Sequence, residues 1–234
     1  MWRQATLLAA TVLLLTACGV DVGTSASAPG ASAMPIDPAP SASATSNVIE
    51  PAAIVDDFRE LDAGTHVVDD PFPVRVTFEV PDGWRAWAYT SAASQINVVK
   101  PDVGEVSFEI VDNISSDPCT EELLDPPVGP SVDDLVTALS ELDGFEVTAP
   151  SDVTIDGFSG KQLTMTAPAE TSCDSLSTWR TTTRQNAVGA GEVNEVRILD
   201  AAGVRLVISV ARGASPSAEA QSEIDAVLDS IQIG

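Results

Sequence analysis

With 234 residues, 35 Asp+Glu against 11 Lys+Arg and a formal net charge of −24, the chain has no basic cluster to hold a phosphate backbone, which excludes nucleic acid as a partner. The same acidity argues against lying flat on anionic lipid and favours solubility through self-repulsion.

The first seventeen residues have the layout of an export signal: Arg3, an apolar run from Ala5 to Leu15, and small residues before Cys18. The run is shorter than the roughly 20 apolar residues of a spanning helix. Leu15-Thr16-Ala17-Cys18 resembles the lipobox of bacterial lipoprotein precursors, which implies cleavage before Cys18 and acylation of its sulfur by palmitate-type chains. An ordinary signal followed by an unmodified Cys18 is the alternative. Each buried methylene contributes about 0.8 kcal/mol, so a diacylated cysteine would hold the protein on the outer leaflet of the plasma membrane. From Gly19 onward Ser, Ala, Thr, Gly and Pro dominate, as in Pro38-Ala39-Pro40-Ser41-Ala42-Ser43. Such a stretch has too little apolar surface to offset the entropy of ordering, so it reads as a disordered tether reaching on the order of 30 Å. The expected organisation is therefore a signal peptide over 1–17, acylated Cys18 and a flexible tether over 18–54, and one folded domain over 55–234.

Within that domain, Val74, Val76, Phe78 and Val80 alternate with Arg75, Thr77 and Glu79, predicting a half-buried strand that ends at Pro81-Asp82-Gly83 before Trp84. Further strands are expected near 86–89, 96–99 and 106–110, the last with Glu105, Ser107 and Glu109 facing water. Ser131 and Asp134 form a capping-box-like start to a helix whose apolar positions Val132, Leu135, Val136, Leu139 and Leu142 share one face until Gly144. Strands follow near 145–147, 153–155 and 162–166, the last two around the Asp156-Gly157 turn. The runs 196–199 and 204–210 predict a hairpin with a four-residue turn, Asp200 to Gly203. A closing helix is expected from a Ser215 N-cap and Pro216, burying Ile224, Val227, Leu228 and Ile231. Strands in runs with two helices indicate an α+β domain, an antiparallel β-sheet packed with helices.

Cys119 and Cys173 are an even pair in an exported chain, set in polar surroundings, and a disulfide is expected between them; two reduced, buried thiols are the alternative. Neither has His or further Cys at ligand spacing, so no metal and no cofactor are expected. His66 is the one histidine, so any Ser/His/Asp or Cys/His mechanism must run through it, and it reads as a surface or edge residue. Gly157-Phe158-Ser159-Gly160-Lys161 lacks the length of a phosphate loop and reads as a turn. The acidic doublets Asp56-Asp57, Asp69-Asp70 and Asp133-Asp134, and Glu121-Glu122 with Asp125, form no calcium-loop pattern and read as solvated faces or helix N-terminal acids. Asn113-Ile114-Ser115 is a glycosylation sequon by letters only.

The lipobox, the Ala/Ser/Pro tether, Phe78-Glu79-Val80-Pro81-Asp82-Gly83-Trp84, Asp156-Gly157-Phe158-Ser159-Gly160-Lys161 and Leu228-Asp229-Ser230-Ile231 together resemble exported lipoproteins of high-GC Gram-positive bacteria. The turn and strand order are also similar to the PsbP-like α/β sandwich of Lpq-type lipoproteins and photosystem extrinsic subunits. The resemblance implies a non-catalytic binding or assembly role and carries no functional residue onto this chain beyond Cys18. The expectation is a module, not an enzyme, held on the membrane through its lipid anchor, with an envelope protein or a lipid as partner. A carrier of a lipid or other apolar ligand in a sheet–helix cavity near Trp84, Trp87 and Trp179 is the alternative, although core packing explains those tryptophans better. An envelope hydrolase stands third.

Overall fold

The computed structural model describes residues 46–49, 57–88, 93–182 and 184–234. In chain order the elements are β1 (Asn47–Val48), β2 (Arg59–Glu60), β3 (Gly64–Val68), β4 (Val76–Val80), β5 (Arg85–Trp87), β6 (Gln95–Lys100), β7 (Gly104–Glu109), β8 (Val111–Ile114), α1 (Val132–Ser140), β9 (Glu146–Val147), β10 (Ser151–Ile155), β11 (Phe158–Thr166), β12 (Leu176–Thr181), β13 (Gln185–Val188), β14 (Glu192–Ala201), β15 (Val204–Gly213), α2 (Ala218–Asp229) and β16 (Gln232–Ile233). Cys18, the lipobox and most of the expected tether lie outside the described residues. The last residues of the segment read as tether include β1, which pairs in parallel with β3 and brings Ile49 into the core.

Among the described residues the fold is mostly antiparallel sheet with two helices, the α+β arrangement that the runs of strands imply. A central sheet runs β10-β11-β14-β15-β7-β6-β5-β2, with β9 added on β11. A four-stranded sheet, β1-β3-β4-β16, and a three-stranded sheet, β13-β12-β8, complete the architecture. Residues paired across an antiparallel ladder project to the same face, so the register assigns the two faces of the central sheet. Val106, Phe108, Ile96, Val98, Ile208 and Val210 lie on one face and form a core with Phe78 and Val80 of β4 and with Ile224 and Val227 of α2. On the opposite face, Val196, Ile198 and Val207 pack against Leu135 and Leu139 of α1 and against Trp179 of β12. Burial of each such large apolar side chain contributes about 1.5–3 kcal/mol.

The local signals that position these layers are satisfied. Ser131 Oγ accepts from Asp134 N while an Asp134 carboxylate oxygen accepts from Ser131 N, closing the capping box of α1. Trp84 Nε1 donates to Glu223 Oε1 at 2.8 Å, and Lys100 Nζ reaches the same oxygen at 2.5 Å, which pins α2 over the Pro81–Trp84 turn. Ser230 Oγ accepts from Glu79 N and ties the end of α2 to β4.

Two boundaries differ from the sequence expectation. The β14–β15 turn has two residues, not four: Asp200 pairs with Arg205 and Ala201 with Val204, leaving Ala202 and Gly203, both at positive φ as a tight hairpin turn requires. The N-cap of α2 is Ser217 rather than Ser215, because Ser217 Oγ accepts from Ala220 N.

Candidate functional site

β7 was expected to turn Glu105, Ser107 and Glu109 toward water, and the structure corrects this. Ser107 is buried, Glu105 half-buried, and Glu109 fully buried at 0% exposure, because β12 and β13 lie over this face of the central sheet. Glu109 Oε2 accepts from Trp179 Nε1 at 2.6 Å and from Asn186 Nδ2 at 3.0 Å, while Oε1 accepts from Ser209 Oγ at 2.8 Å. Removal from water raises its pKa to about 7 against the pull of the Trp179 and Ser209 bonds, and the nearby Glu105 carboxylate adds to the rise.

Above this buried group opens a cleft of about 600 Å³. Its lining includes Gln95, Glu105, Ser107, Asn194 and Ser209 of the central sheet and Asn186 of β13. Asn97 organises the floor beside it: its Oδ1 accepts from Gln95 Nε2 and Ser107 Oγ, and its Nδ2 donates to the Trp87 carbonyl. Ser107 Oγ also lies 3.0 Å from Glu105 Oε1. One hydroxyl proton serves only one of these two acceptors, and a protonated Glu105 donates in the other contact. Burial in fact raises the Glu105 pKa, opposed by hydrogen bonds from Ser107 and Trp87, with Glu192 raising it further. Two acceptors on the cleft lining are unspent: among the described residues Gln95 Oε1 and Asn194 Oδ1, on side chains 2% and 3% exposed, have no hydrogen-bond partner. At the rim the Arg184 guanidinium stands 6.0 Å from the Trp87 ring, which meets Phe58 at 5.4 Å on a tilted contact; Arg85 lies 4.8 Å from the Phe58 ring.

The Cys119–Cys173 disulfide forms, with Cα atoms 5.5 Å apart. It joins the loop after β8 to the loop before β12, and Ser177 N donates to Pro118 O beside it. The bridge thus secures the three-stranded sheet that walls the cleft.

The other residues singled out from sequence fall elsewhere. His66 is not a surface residue: it is 3% exposed within β3, flanked by β1 and β4, with Nε2 2.7 Å from Asp62 O. Gly157 and Asp156 form the β10–β11 turn, and Lys161 reaches its cross-strand partner Asp152 at 2.6 Å. Asp69 pairs with Arg75 at 2.8 Å. The Asn113 amide is committed internally, donating to Leu124 O and accepting from Ile114 N and Val128 N. Trp84 and Trp179 are core residues, and of the three tryptophans only Trp87 borders the cleft. Among the described residues no three His, Cys, Asp or Glu side chains are grouped to hold a metal ion.

Sequence reasoning missed Glu109, although a signal was present. Leu206–Val210 is apolar on both alternations except for Ser209, which marks a strand covered on both faces, and its neighbour β7 shares that cover.

No protein-family model matches the chain, and no curated protein matches it. Among solved structures it is similar to a Bacteroides thetaiotaomicron VPI-5482 chain at 11% identity and a TM-score of 0.38, covering 74% of this chain and 49% of that one, so that it spans about half of that protein. It is also similar to cyanobacterial PsbP (CyanoP) from Synechocystis sp. PCC 6803, at 12% identity and a TM-score of 0.39, covering 74% and 94%. LpqN of Mycobacterium tuberculosis, involved in cell envelope biogenesis, matches at 20% identity and a TM-score of 0.35, covering 76% and 92%. At these scores the likenesses assign neither a family nor an activity.

Proposed function

We propose that the protein is an extracytoplasmic lipoprotein, anchored through acylated Cys18 to the outer face of the plasma membrane, that presents a non-catalytic binding module at the cell envelope. Its binding site is the cleft between the central sheet and the β8/β12/β13 sheet. The observation that carries this reading is the cleft floor, which keeps buried hydrogen-bonding capacity unspent at Gln95 and Asn194. A folded protein rarely leaves such groups without a partner unless a ligand or water meets them. The anchor and spacer rest on Leu15-Thr16-Ala17-Cys18 and on the Ser/Ala/Pro-rich segment after it. An exported setting is supported by the Cys119–Cys173 bridge, since disulfides persist in oxidising compartments.

The architecture belongs to this reading as a PsbP-like sandwich, supported by the Val80-Pro81-Asp82-Gly83-Trp84 turn and by helices packed on antiparallel sheet. A hydrolase is disfavoured by the packing of His66 inside the four-stranded sheet and by the cover over Glu109, which keeps that carboxyl from a substrate. The polar lining of the cleft favours a polar ligand over a lipid tail.

Metabolic labelling with an alkyne fatty acid, followed by fractionation, tests the anchor. The wild-type chain is expected to be labelled and membrane-bound, and Cys18→Ala unlabelled and released. Unlabelled wild-type protein would remove the anchored reading. In-cell crosslinking through the cleft rim is then expected to capture an envelope component.

A further inference from the structure

Glu109 stands at the corner where two sheets part. β7 ends at Glu109 and β8 begins at Val111, so the chain leaves the central sheet for the three-stranded sheet at Ile110. Both strands of the β12–β13 hairpin reach back to this one carboxyl, Trp179 from β12 and Asn186 from β13, and Ser209 of β15 completes its donors. β13 is the outer strand of its sheet and pairs with β12, so its hold on the central sheet comes from side-chain contacts such as this one.

The elements packed around Glu109 bring no cation to balance its charge. β12 and β13 offer an indole and an amide, with Arg180 exposed and Arg184 over the Trp87 ring. On β15, Arg205 is spent on the carbonyls of Val111, Gly129 and Ser131. β8 adds Asp112, exposed and accepting from Thr182 Oγ1. β6 places Gln95 directly opposite in the ladder, its Lys100 being held by Glu223, and β7 itself adds the Glu105 carboxylate. Gln95 Oε1 has no partner among the described residues, so an ionised Glu109 faces an acceptor that is itself unmet. Protonated, Glu109 is a neutral group among neutral partners; ionised, it carries a buried charge that neither sheet offsets.

We propose that Glu109 is a proton-operated latch on the cleft: protonated, it holds the β12–β13 hairpin down on the central sheet, and ionised, it releases the hairpin and opens the cleft wall. Burial raises its pKa to about 7, so opening, which returns the carboxyl to water, is favoured by loss of the proton. The Cys119–Cys173 bridge ties the loop before β12 to the loop after β8, so the released hairpin stays attached and closes again on acidification. Gln95, Ser209 and Asn186 line the cleft, so the latch governs access to its floor. That consequence rests on the cleft being the module's binding site; the opening itself does not.

Hydrogen exchange of the full-length protein in detergent, read by mass spectrometry and corrected for the intrinsic pH dependence of amide exchange, tests the latch. Amides of β12 and β13 should exchange on the order of 50-fold faster at about pH 8 than at about pH 5, levelling above about pH 7, while those of β4 and α2 change far less. Glu109→Gln should keep the hairpin protected throughout and remove the pH dependence. Glu105→Gln, which takes away a charge opposing ionisation, should make the rise level off at a lower pH. Glu121→Gln, at an exposed position, should exchange as wild type. The latch is overturned by pH-independent exchange in the hairpin, by equal acceleration in β4 and α2, or by a Glu109→Gln variant that retains the wild-type dependence. The readout is the hairpin's own amides, so such a result removes the latch alone, whereas unlabelled protein in the anchor experiment removes the envelope reading alone.

Discussion

At the residue scale, Glu109 is the side chain whose environment departs furthest from its sequence context. It is fully covered and meets three neutral donors rather than a cation, so its ionised form is opposed by desolvation. The folded state therefore holds the proton up to about pH 7, whereas an unfolded glutamate releases it near its ordinary value of about 4.3. Between those limits the native chain binds more protons than the unfolded one, so stability falls as pH rises through that window and levels above it. Full ionisation costs on the order of 3 kcal/mol, and Glu105, also raised, acts in the same direction. Glu109→Gln can accept from Trp179 and Asn186 through its oxygen and donate to Ser209, reproducing the protonated acid. Thermal unfolding of the variant should fall less with pH than wild type from about pH 5 to about pH 8, keeping the Glu105 part of the dependence, matching wild type at the lower end and exceeding it at the upper. A variant less stable than wild type at the upper end would contradict the burial argument.

At the element scale, most individual strands and both helices were legible because each carries its own pattern. The Ser131 capping box and the alternation through Phe78 depend on contacts a few residues apart, and such rules survive tertiary context. Boundaries were less legible where two chemically similar residues compete: Ser215 and Ser217 are both acceptable caps, and only the backbone direction selects Ser217. The β11–β14 contact is closer than any pattern reveals. Gly160 lies against Leu199 in the ladder, and a Cβ there would sit 2.0 Å from Ile198 O and 2.9 Å from Leu199 Cα. Because both atoms are backbone, the strands themselves would have to move. Gly160→Ala is expected to lose about 2 kcal/mol in urea unfolding, and a neutral result would contradict the close approach of these strands.

At the scale of the whole molecule, the three-stranded sheet decides what the central sheet can do. Without β12 and β13 over it, the β7 face would be the wet side of an ordinary half-buried sheet; with them, it becomes the floor of a cleft. Cys119–Cys173 secures that cover across a sequence separation of 54. Closing a loop of this length stabilises the folded state by about 4 kcal/mol through the unfolded chain's lost entropy. Cys119→Ser/Cys173→Ser should therefore lower unfolding stability by about that amount, measured in urea against the oxidised wild type. Equal stabilities would mean that the bridge closes nothing the fold has not already ordered.

Composition and local pattern by themselves determined the acidic character, the cysteine pairing, the α+β class and most of the strands, because each depends on residue chemistry or on neighbours within one element. Only the tertiary structure decided which residues are buried polar groups. Glu109 meets Trp179 and Asn186 from strands some seventy positions away, and His66 is enclosed by β1 and β4. Period-two alternation separates the two faces of a strand but cannot say whether the second face meets water or another sheet. That choice is made by long-range packing, and here it turns the polar side of β7 into the candidate binding site.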